Sequence, residues 1–178
     1  RREDFQVATI DALFDAETDD PAASLRRGLE EMLQAAKDAI AAGASLLIVS
    51  DRNMSQRRAA IPSLLATSAL HHGLLEAGLR AEAGLVVESG EPREVHHFCL
   101  LCGFGANAVN PYLALDLLRE LQDRGDVPGE MDPVTLVDHY VAAVKKGILK
   151  TISKMGISTL RSYRGAQLFE AVGLSREL

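Results

Sequence analysis

Acids, bases and an amide follow the short apolar runs of this sequence, where the strands of a parallel sheet are expected to end. Ligands of open α/β sheets bind at this carboxyl edge. The positions concerned are Ser50, Asp51, Arg52, Glu88, Ser89, Arg93, His96 and Asn110. They could form the mouth of a ligand site or channel. They could also form a buried salt-bridge network, with Asp51 and Glu88 facing Arg52 and Arg93. The sequence favours the network.

A C-x-x-C spacing occurs at Cys99 and Cys102. A zinc site would need a second ligand pair at suitable spacing. A redox site would need the pair at the start of a helix, where the helix dipole lowers the pKa of the first thiol. The pair lies instead in the apolar stretch 98–102. We therefore predict two buried structural cysteines in a reducing, cytoplasmic setting.

Two histidine pairs, His71-His72 and His96-His97, could suggest a metal site. Adjacent helical residues point about 100° apart, so each pair offers at most one inward ligand. We predict that these histidines pack helices against the sheet or lie at an interface, and we predict no metal site. The stretch 103–108 fits G-x-G-x-x-A, but a helical run precedes it and a strand follows. That order is the reverse of a dinucleotide site, and it predicts a tight turn.

A basic run lies near the end of the sequence. It consists of Lys145, Lys146, Lys150, Lys154, Arg161 and Arg164. It could bind phosphate or a carboxylate, which would make the chain a small-anion-binding module. A solvated or interdomain face is the commoner meaning of such a run. No Ser-His-Asp pattern and no pair of carboxylates typical of acid–base catalysis stands out, so we predict no catalytic residue.

Short β-like runs at 7–10, 46–49, 85–87 and 108–110 alternate with longer helical stretches. This alternation predicts βαβ units and an α/β fold with a parallel sheet, flanking helices and an open or incomplete barrel-like character. Apolar residues make up 47% of the chain and aromatic residues 4%, so the core must be mainly aliphatic. The net charge of −6 argues against a nucleic-acid surface, and no apolar run is long enough to span a membrane.

Three Asx-Pro pairs mark helix starts: Asp20-Pro21, Asn110-Pro111 and Asp132-Pro133. In each pair the first side chain is expected to cap free N–H groups, and proline occupies the first helical position. The polar, glycine-containing stretch 122–132 predicts a loop and an internal boundary. We place an α/β core at 1–124 and a helical continuation at 125–178. The continuation holds helical runs at 136–146 and 147–154, a short strand or turn at 156–159, and a last helix at 162–172.

From about Gly43 onward, long blocks of the sequence resemble the central domain of the glutamate synthase large subunit. These blocks include 48–52, 61–66, 84–91, 93–98 and 109–114. The most distinctive ones are Lys146-Gly147-Ile148-Leu149-Lys150, Ser153-Lys154-Met155-Gly156-Ile157-Ser158-Thr159 and Ser162-Tyr163-Arg164-Gly165-Ala166-Gln167. Cys99 and Cys102 depart from the family pattern, which has plain apolar residues there.

The resemblance implies an oxidoreductase that makes two glutamates from glutamine and 2-oxoglutarate, with electrons from a reduced pyridine nucleotide or ferredoxin through an iron–sulfur cluster and FMN. It implies that this chain is an internal piece, starting at Arg1 rather than Met, which carries neither cofactor and is inactive alone. Its partners would be the glutaminase and FMN domains of the same subunit, and a small electron-transfer subunit or ferredoxin.

The expected role is to join those two domains and to line the passage for ammonia. An inert scaffold is the alternative. The predicted interdomain or channel contacts are Asp51, Arg52, Glu88, Arg93, His96, Asn110, Ser158, Arg161, Tyr163, Arg164 and Gln167.

Overall fold

The computed structural model describes residues 5–127, 131–170 and 172 of the 178 residues. Within these ranges the strands are β1 (Val7–Asp11), β2 (Leu13–Asp15), β3 (Leu46–Ser50), β4 (Arg58–Ala60), β5 (Gly84–Glu88) and β6 (Ala108–Asn110). The helices are α1 (Pro21–Ala41), α2 (Ser63–Glu76), α3 (Val95–Gly103), α4 (Tyr112–Asp123), α5 (Pro133–Lys154) and α6 (Leu160–Tyr163).

Four strands form a parallel sheet in the order β1-β3-β5-β6. Sheet order follows chain order, and each crossover contains a helix. Right-handed crossovers of this kind place α1, α2 and α3 on one face of the sheet. The strands β1 and β6 are edges in the described part of the chain, so the sheet is open. The predicted parallel α/β class with an open, barrel-like character is confirmed.

The main core lies between the sheet and the first two helices. Leu47, Val49 and Leu85 are at most 2% exposed. Leu47 and its neighbours pack with Met32 of α1 and Leu70 of α2 in one cluster of aliphatic side chains. The low aromatic content of the sequence therefore produces the aliphatic core that it predicted.

Two of the three predicted Asx caps are confirmed. Asp20 accepts a hydrogen bond from the N–H of Ala23, and Asp132 accepts from Val134 and Thr135. The third prediction is wrong, because α4 begins after Pro111 without a side-chain cap. The Asn110 amide donates to Glu88 instead, so tertiary contact overrides the local capping preference.

A small antiparallel pair, β2 with β4, was not predicted. Each strand has only three residues, which is too short for a periodic pattern to be recognised. The pair lies after the carboxyl end of β1, where Ala12 donates to the carbonyl of Ser50 and Ile61 donates to the carbonyl of Ala12.

The two predicted helical runs after residue 132 are a single helix, α5. The helix continues through Gly147. This glycine lies where α5 packs against α3, at a position with no room for a side chain. A Cβ atom at Gly147 would lie 2.4 Å from Cγ2 of Val95. Among the described residues, no helix is both long enough and apolar enough to cross a membrane.

The predicted last helix at 162–172 is wrong. The helix α6 covers only Leu160–Tyr163, and residues 164–170 continue without helix. Gly165 and Gln167 have φ values of +68° and +55°, which a right-handed helix does not allow. Residue 171 lies outside the described residues. The predicted boundary between 1–124 and 125–178 stays a prediction.

Candidate functional site

The eleven predicted contact residues are distributed over three places rather than one site. Four come together at the carboxyl edge of the sheet, namely Asp51, Arg52, Glu88 and Asn110. Three lie beside the C-terminal end of α3, near the amino edge, namely Tyr163, Arg164 and Gln167. The other four are exposed, namely Arg93, His96, Ser158 and Arg161. The carboxyl edge is therefore the main candidate site.

Asp51 is a buried carboxylate, 4% exposed, that holds the loop after β5. Its Oδ2 accepts from the hydroxyl of Ser89 at 2.6 Å and from the backbone N–H of Gly90 at 3.1 Å. Its Oδ1 accepts from the hydroxyl of Tyr112 at 2.8 Å. Hydrogen bonds to a charged acceptor are stronger than neutral ones. They compensate the desolvation of this carboxylate, which has no ion pair with the described residues.

Glu88 ends β5 and connects three strands. Its Oε2 accepts from the Ser50 hydroxyl at 2.7 Å, and its Oε1 accepts from the Asn110 amide at 3.0 Å. Nε of Arg52 lies 3.0 Å from the same Oε1. Desolvation raises the pKa of Glu88, but these hydrogen bonds and the charge of Arg52 outweigh it. The pKa is lowered, so the carboxylate is ionised at neutral pH.

Arg52 lies over the ring of Tyr112, with 4.2 Å between its guanidinium carbon and the ring centroid. It thereby connects the Glu88 network to the Asp51 network. Burial, followed by the hydrogen bond and charge of Asp51, raises the pKa of Tyr112 to about 12. The phenol is therefore protonated at neutral pH and acts as a donor.

The predicted salt-bridge network is only partly correct. Arg52 pairs with Glu88, but Asp51 uses neutral donors. Arg93 is exposed and forms no ion pair with the described residues. The backbone of Arg93, rather than its side chain, makes the contact at this point: the Arg93 carbonyl accepts from the Tyr140 hydroxyl at 2.9 Å.

Sequence reasoning missed two members of this edge. Tyr112 lies two residues beyond β6. The sequence signal that could have identified it is its position directly after the predicted strand 108–110, in Asn110-Pro111-Tyr112. Asp11 at the end of β1 accepts from Arg58 at 3.1 Å. Arg58 lies in the unpredicted strand β4, so no sequence signal connected the two.

A cavity of about 300 Å³ lies beside this edge, between α2 and α3. Its lining residues are Ser63, Leu64, Glu91, Pro92, His97, Leu100 and Leu101. The wall is mostly apolar. The carboxylate of Glu91 is not free, because it accepts from the N–H of Ser63 at 2.8 Å and so caps α2 from another loop.

A second polar cluster surrounds His71 near the amino edge. Arg80 donates from Nε to Nδ1 of His71 at 3.1 Å, and from its terminal nitrogens to the carbonyls of Ala83 and Gly105. Burial, together with the positive charges of Arg80, His72 and Arg164, lowers the pKa of His71 to about 4. His71 is therefore a neutral acceptor within the fold, whereas His72, His96 and His97 are exposed. The prediction that the four histidines pack helices against the sheet or lie at an interface stays a prediction. Sequence reasoning did not identify Arg80 as the partner of His71.

The segment after α6 is fixed to the end of α3. Tyr163 is fully buried, and its hydroxyl donates to the carbonyl of Cys99 at 2.9 Å. The N–H of Gly165 donates to the carbonyl of Gly103 at 2.8 Å. Phe169 packs edge-on against Tyr163 and His96, with centroid distances of 6.2 and 6.3 Å.

Cys99 and Cys102 are free and buried, which confirms the prediction that they are structural. Burial, and then the nearby Cys99, raise the pKa of the Cys102 thiol to about 11. Such a thiol is neither a nucleophile nor a ready metal ligand at neutral pH. Within the described ranges, no group of three or more His, Cys, Asp or Glu side chains could hold a metal ion.

The glycines of the G-x-G-x-x-A stretch end α3 and turn into β6, as predicted. Gly105 has a φ of +116°, and a Cβ there would lie 2.4 Å from Nδ1 of His71. The lysines of the basic run lie exposed on α5, as expected of a solvated or interdomain face.

The fold and its carboxyl edge define an open parallel α/β domain whose edge carboxylates are held by its own hydrogen-bond donors. The family model for the glutamate synthase central domain matches residues 1–175. The chain therefore belongs to the glutamate synthase central domain family.

Several relatives cover almost the whole chain. It is 47% identical over 175 residues to the glutamate synthase [NADPH] large chain of Bacillus subtilis (strain 168), covering 98% of this chain and 11% of the relative. It is 41% identical to the glutamate synthase [NADH] of Schizosaccharomyces pombe, covering 98% and 8%. It is 39% identical to ferredoxin-dependent glutamate synthase 2 of Synechocystis, covering 97% and 12%. The chain thus spans about a tenth of the length of these relatives.

Proposed function

We propose that this chain works as the central domain of a glutamate synthase polypeptide, which makes two glutamates from glutamine and 2-oxoglutarate with reducing equivalents. The observation that carries the proposal is the match over nearly the whole chain to about one tenth of the length of the relatives. Relatives named for NADPH, NADH and ferredoxin match over the same region. The domain is therefore common to relatives named for all three donors, and we infer that its role does not depend on the electron donor.

The domain's role in this proposal is to join the glutaminase and FMN domains and to line the passage for ammonia, in a cytoplasmic, reducing setting. The cavity between α2 and α3 supports the role in the passage, since its mostly apolar wall would keep out bulk water once another domain covers its open side. The carboxyl edge supports the joining role, because its donors and acceptors are already fixed in place before a partner domain contacts them.

FMN and the iron–sulfur cluster belong, in this proposal, to other parts of the longer polypeptide. The donor set agrees with this, because iron–sulfur clusters need several thiolate ligands. The two cysteines here are buried, and the pKa of the Cys102 thiol is raised to about 11. A small electron-transfer subunit or ferredoxin would likewise bind elsewhere.

The test is the Arg52→Ala substitution in the longer polypeptide, measured as glutamine hydrolysed per glutamate formed. If the carboxyl edge guards the passage, this ratio rises because ammonia escapes. Arg119→Ala is the matched control, since Arg119 forms an exposed pair with Asp116 on α4. An unchanged ratio for Arg52→Ala removes the carboxyl edge from the passage.

An inert scaffold is the competing role within the same protein. Arg52→Ala would then lower activity and melting temperature in proportion, with the amount of glutamine hydrolysed per glutamate formed unchanged. Measuring both quantities on one preparation separates the two roles.

A small-anion site is a second candidate, favoured by one observation. Nε of Arg164 is buried without a hydrogen-bond partner among the described residues. Arg80 and His71 lie nearby, and an anion would supply an acceptor for this buried nitrogen and balance its charge. Titration of the chain with phosphate, FMN and 2-oxoglutarate tests this site, and the absence of binding at millimolar ligand rejects it.

A further inference from the structure

The four-stranded sheet has one covered face and one open face. On the covered face, Leu47, Val49 and Leu85 pack under the helices, and Val87 packs with Leu101 of α3. All four of these strand residues are at most 2% exposed. Side chains alternate between the faces of a strand. The residues between them therefore point away from α1, α2 and α3.

The open face carries a row of uncharged residues across all four strands; these residues are apolar apart from Thr9, and we call them the apolar row. Thr9, Ile48, Val86 and Ala108 are paired in register, each with the next. Ile48 and Val86 stay half-buried although they lie on the two central strands, and the two outer residues are exposed. None of the four belongs to a core cluster of the described residues. In α/β proteins a parallel sheet is normally covered on both faces.

A polar row borders the apolar row on the same face. It consists of Asp11, Ser50, Glu88 and Asn110, which are also paired in register. Its two carboxylates are already matched, Asp11 by Arg58 and Glu88 by Arg52. An apolar centre with a hydrogen-bonding rim is the usual composition of a protein interface. Because the charges of the rim are paired, the surface suits an apolar partner rather than a strongly basic one.

We propose that this open sheet face is covered by another segment of the same longer polypeptide, apolar opposite Ile48 and Val86. The inference rests on the proposed function, since it takes the chain to be part of a longer protein. Relatives contain about ten times more chain than this domain, as the covered shares of 8% to 12% imply. A tethered segment meets the face at an effective concentration of about millimolar, which a second copy at micromolar concentration does not reach.

Thiol labelling in the longer polypeptide tests the proposal. Thr9→Cys and Ala108→Cys place reporters at the two ends of the apolar row, where both native residues are exposed and the changes are small. Glu31→Cys on the outer surface of α1 is the control. The native cysteines give little background because they are buried. Mass spectrometry of the labelled peptides gives the labelling rate of each introduced cysteine relative to its rate in urea.

We expect both reporters on the sheet face to react at least ~10-fold more slowly in the longer polypeptide than in the 178-residue chain, with circular dichroism confirming that the chain is folded. The control reacts at similar rates in both. Equal rates for the sheet-face reporters in the two proteins would overturn the proposal. Protection that is already present in the 178-residue chain, and lost on dilution, would assign the face to a second copy instead.

Failure of this inference is distinct from failure of the proposed function. The longer polypeptide could make glutamate from glutamine and 2-oxoglutarate while both reporters react freely, which refutes only the covered face. A polypeptide without that activity, but with protected reporters, would refute only the proposed function.

Discussion

Replacing Asp51 by alanine should destabilise the domain more than any other single change at the carboxyl edge. The substitution removes the acceptor of the Ser89 hydroxyl, the Gly90 N–H and the Tyr112 hydroxyl. Ser89 can rotate its hydroxyl, and Tyr112 can reach water. The N–H of Gly90 is buried and fixed by the backbone, so it stays unpaired.

The expected cost follows from these bonds. Hydrogen bonds to charged groups contribute roughly 1.5–3 kcal/mol each, and an unpaired buried donor costs about 1–3 kcal/mol. Allowing for the groups that relax, Asp51→Ala should lower the free energy of unfolding by about 3–5 kcal/mol. That is a large share of the roughly 5–15 kcal/mol typical of a domain. Tyr112→Phe removes one bond and leaves the others, so it should cost only about 1–2 kcal/mol.

Urea denaturation followed by far-UV circular dichroism measures these differences, since the chain has no tryptophan for fluorescence. Asp116→Ala is the matched control, because its carboxylate is exposed and, among the described residues, pairs with Arg119 alone on the helix surface. It should change stability by less than about 1 kcal/mol. If Asp51→Ala costs no more than this control, the carboxylate does not hold the loop and the reasoning fails.

Three further results are expected. Gly105→Ala should lower the free energy of unfolding by at least ~3 kcal/mol, since φ is +116° and the new Cβ would displace His71. Gly78→Ala, at φ +70° with open space around it, should lower it by only about 1–2 kcal/mol. Equal losses in urea denaturation would contradict this. Burial and neighbouring positive charges hold the pKa of His71 at about 4, against an ordinary value of 6.5. As the pH falls from about 6.5 to about 4, His71 therefore binds a proton in the unfolded chain before it does so in the folded chain. The contribution of His71 to the free energy of unfolding is fully present above about pH 6.5 and is lost toward pH 4. His71→Asn should remove about 1 kcal/mol of that loss, after allowance for partial exposure, and a pH series that is identical for both proteins would refute it. Cys99 and Cys102 should react with a thiol reagent at least ~100-fold more slowly in the native chain than in urea; rapid native labelling would show that they are accessible.

The sequence determined those features that depend on local pattern. Short apolar runs alternating with helical stretches predicted all four strands of the parallel sheet, and Asp20 and Asp132 predicted two helix starts. The run around Cys99 predicted burial. These succeed because strand burial, capping and helix burial are decided within a few residues of the chain.

Local pattern failed where distant residues decide the outcome. Asn110 had the sequence of a cap but bonds to Glu88 across the sheet. The sequence predicted a last helix at 162–172, yet residues 164–170 are held in another conformation by Tyr163 and Gly165 against the end of α3.

For the candidate site, the sequence could place charged residues at the ends of strands but could not assign their partners. Which of Asp51 and Glu88 pairs with Arg52 depends on the register of the strands and on side-chain direction, and only the tertiary structure decides both. The open face has the same origin. Alternation within β3 and β5 was hidden because both faces are apolar, and only the position of the helices reveals which face remains uncovered.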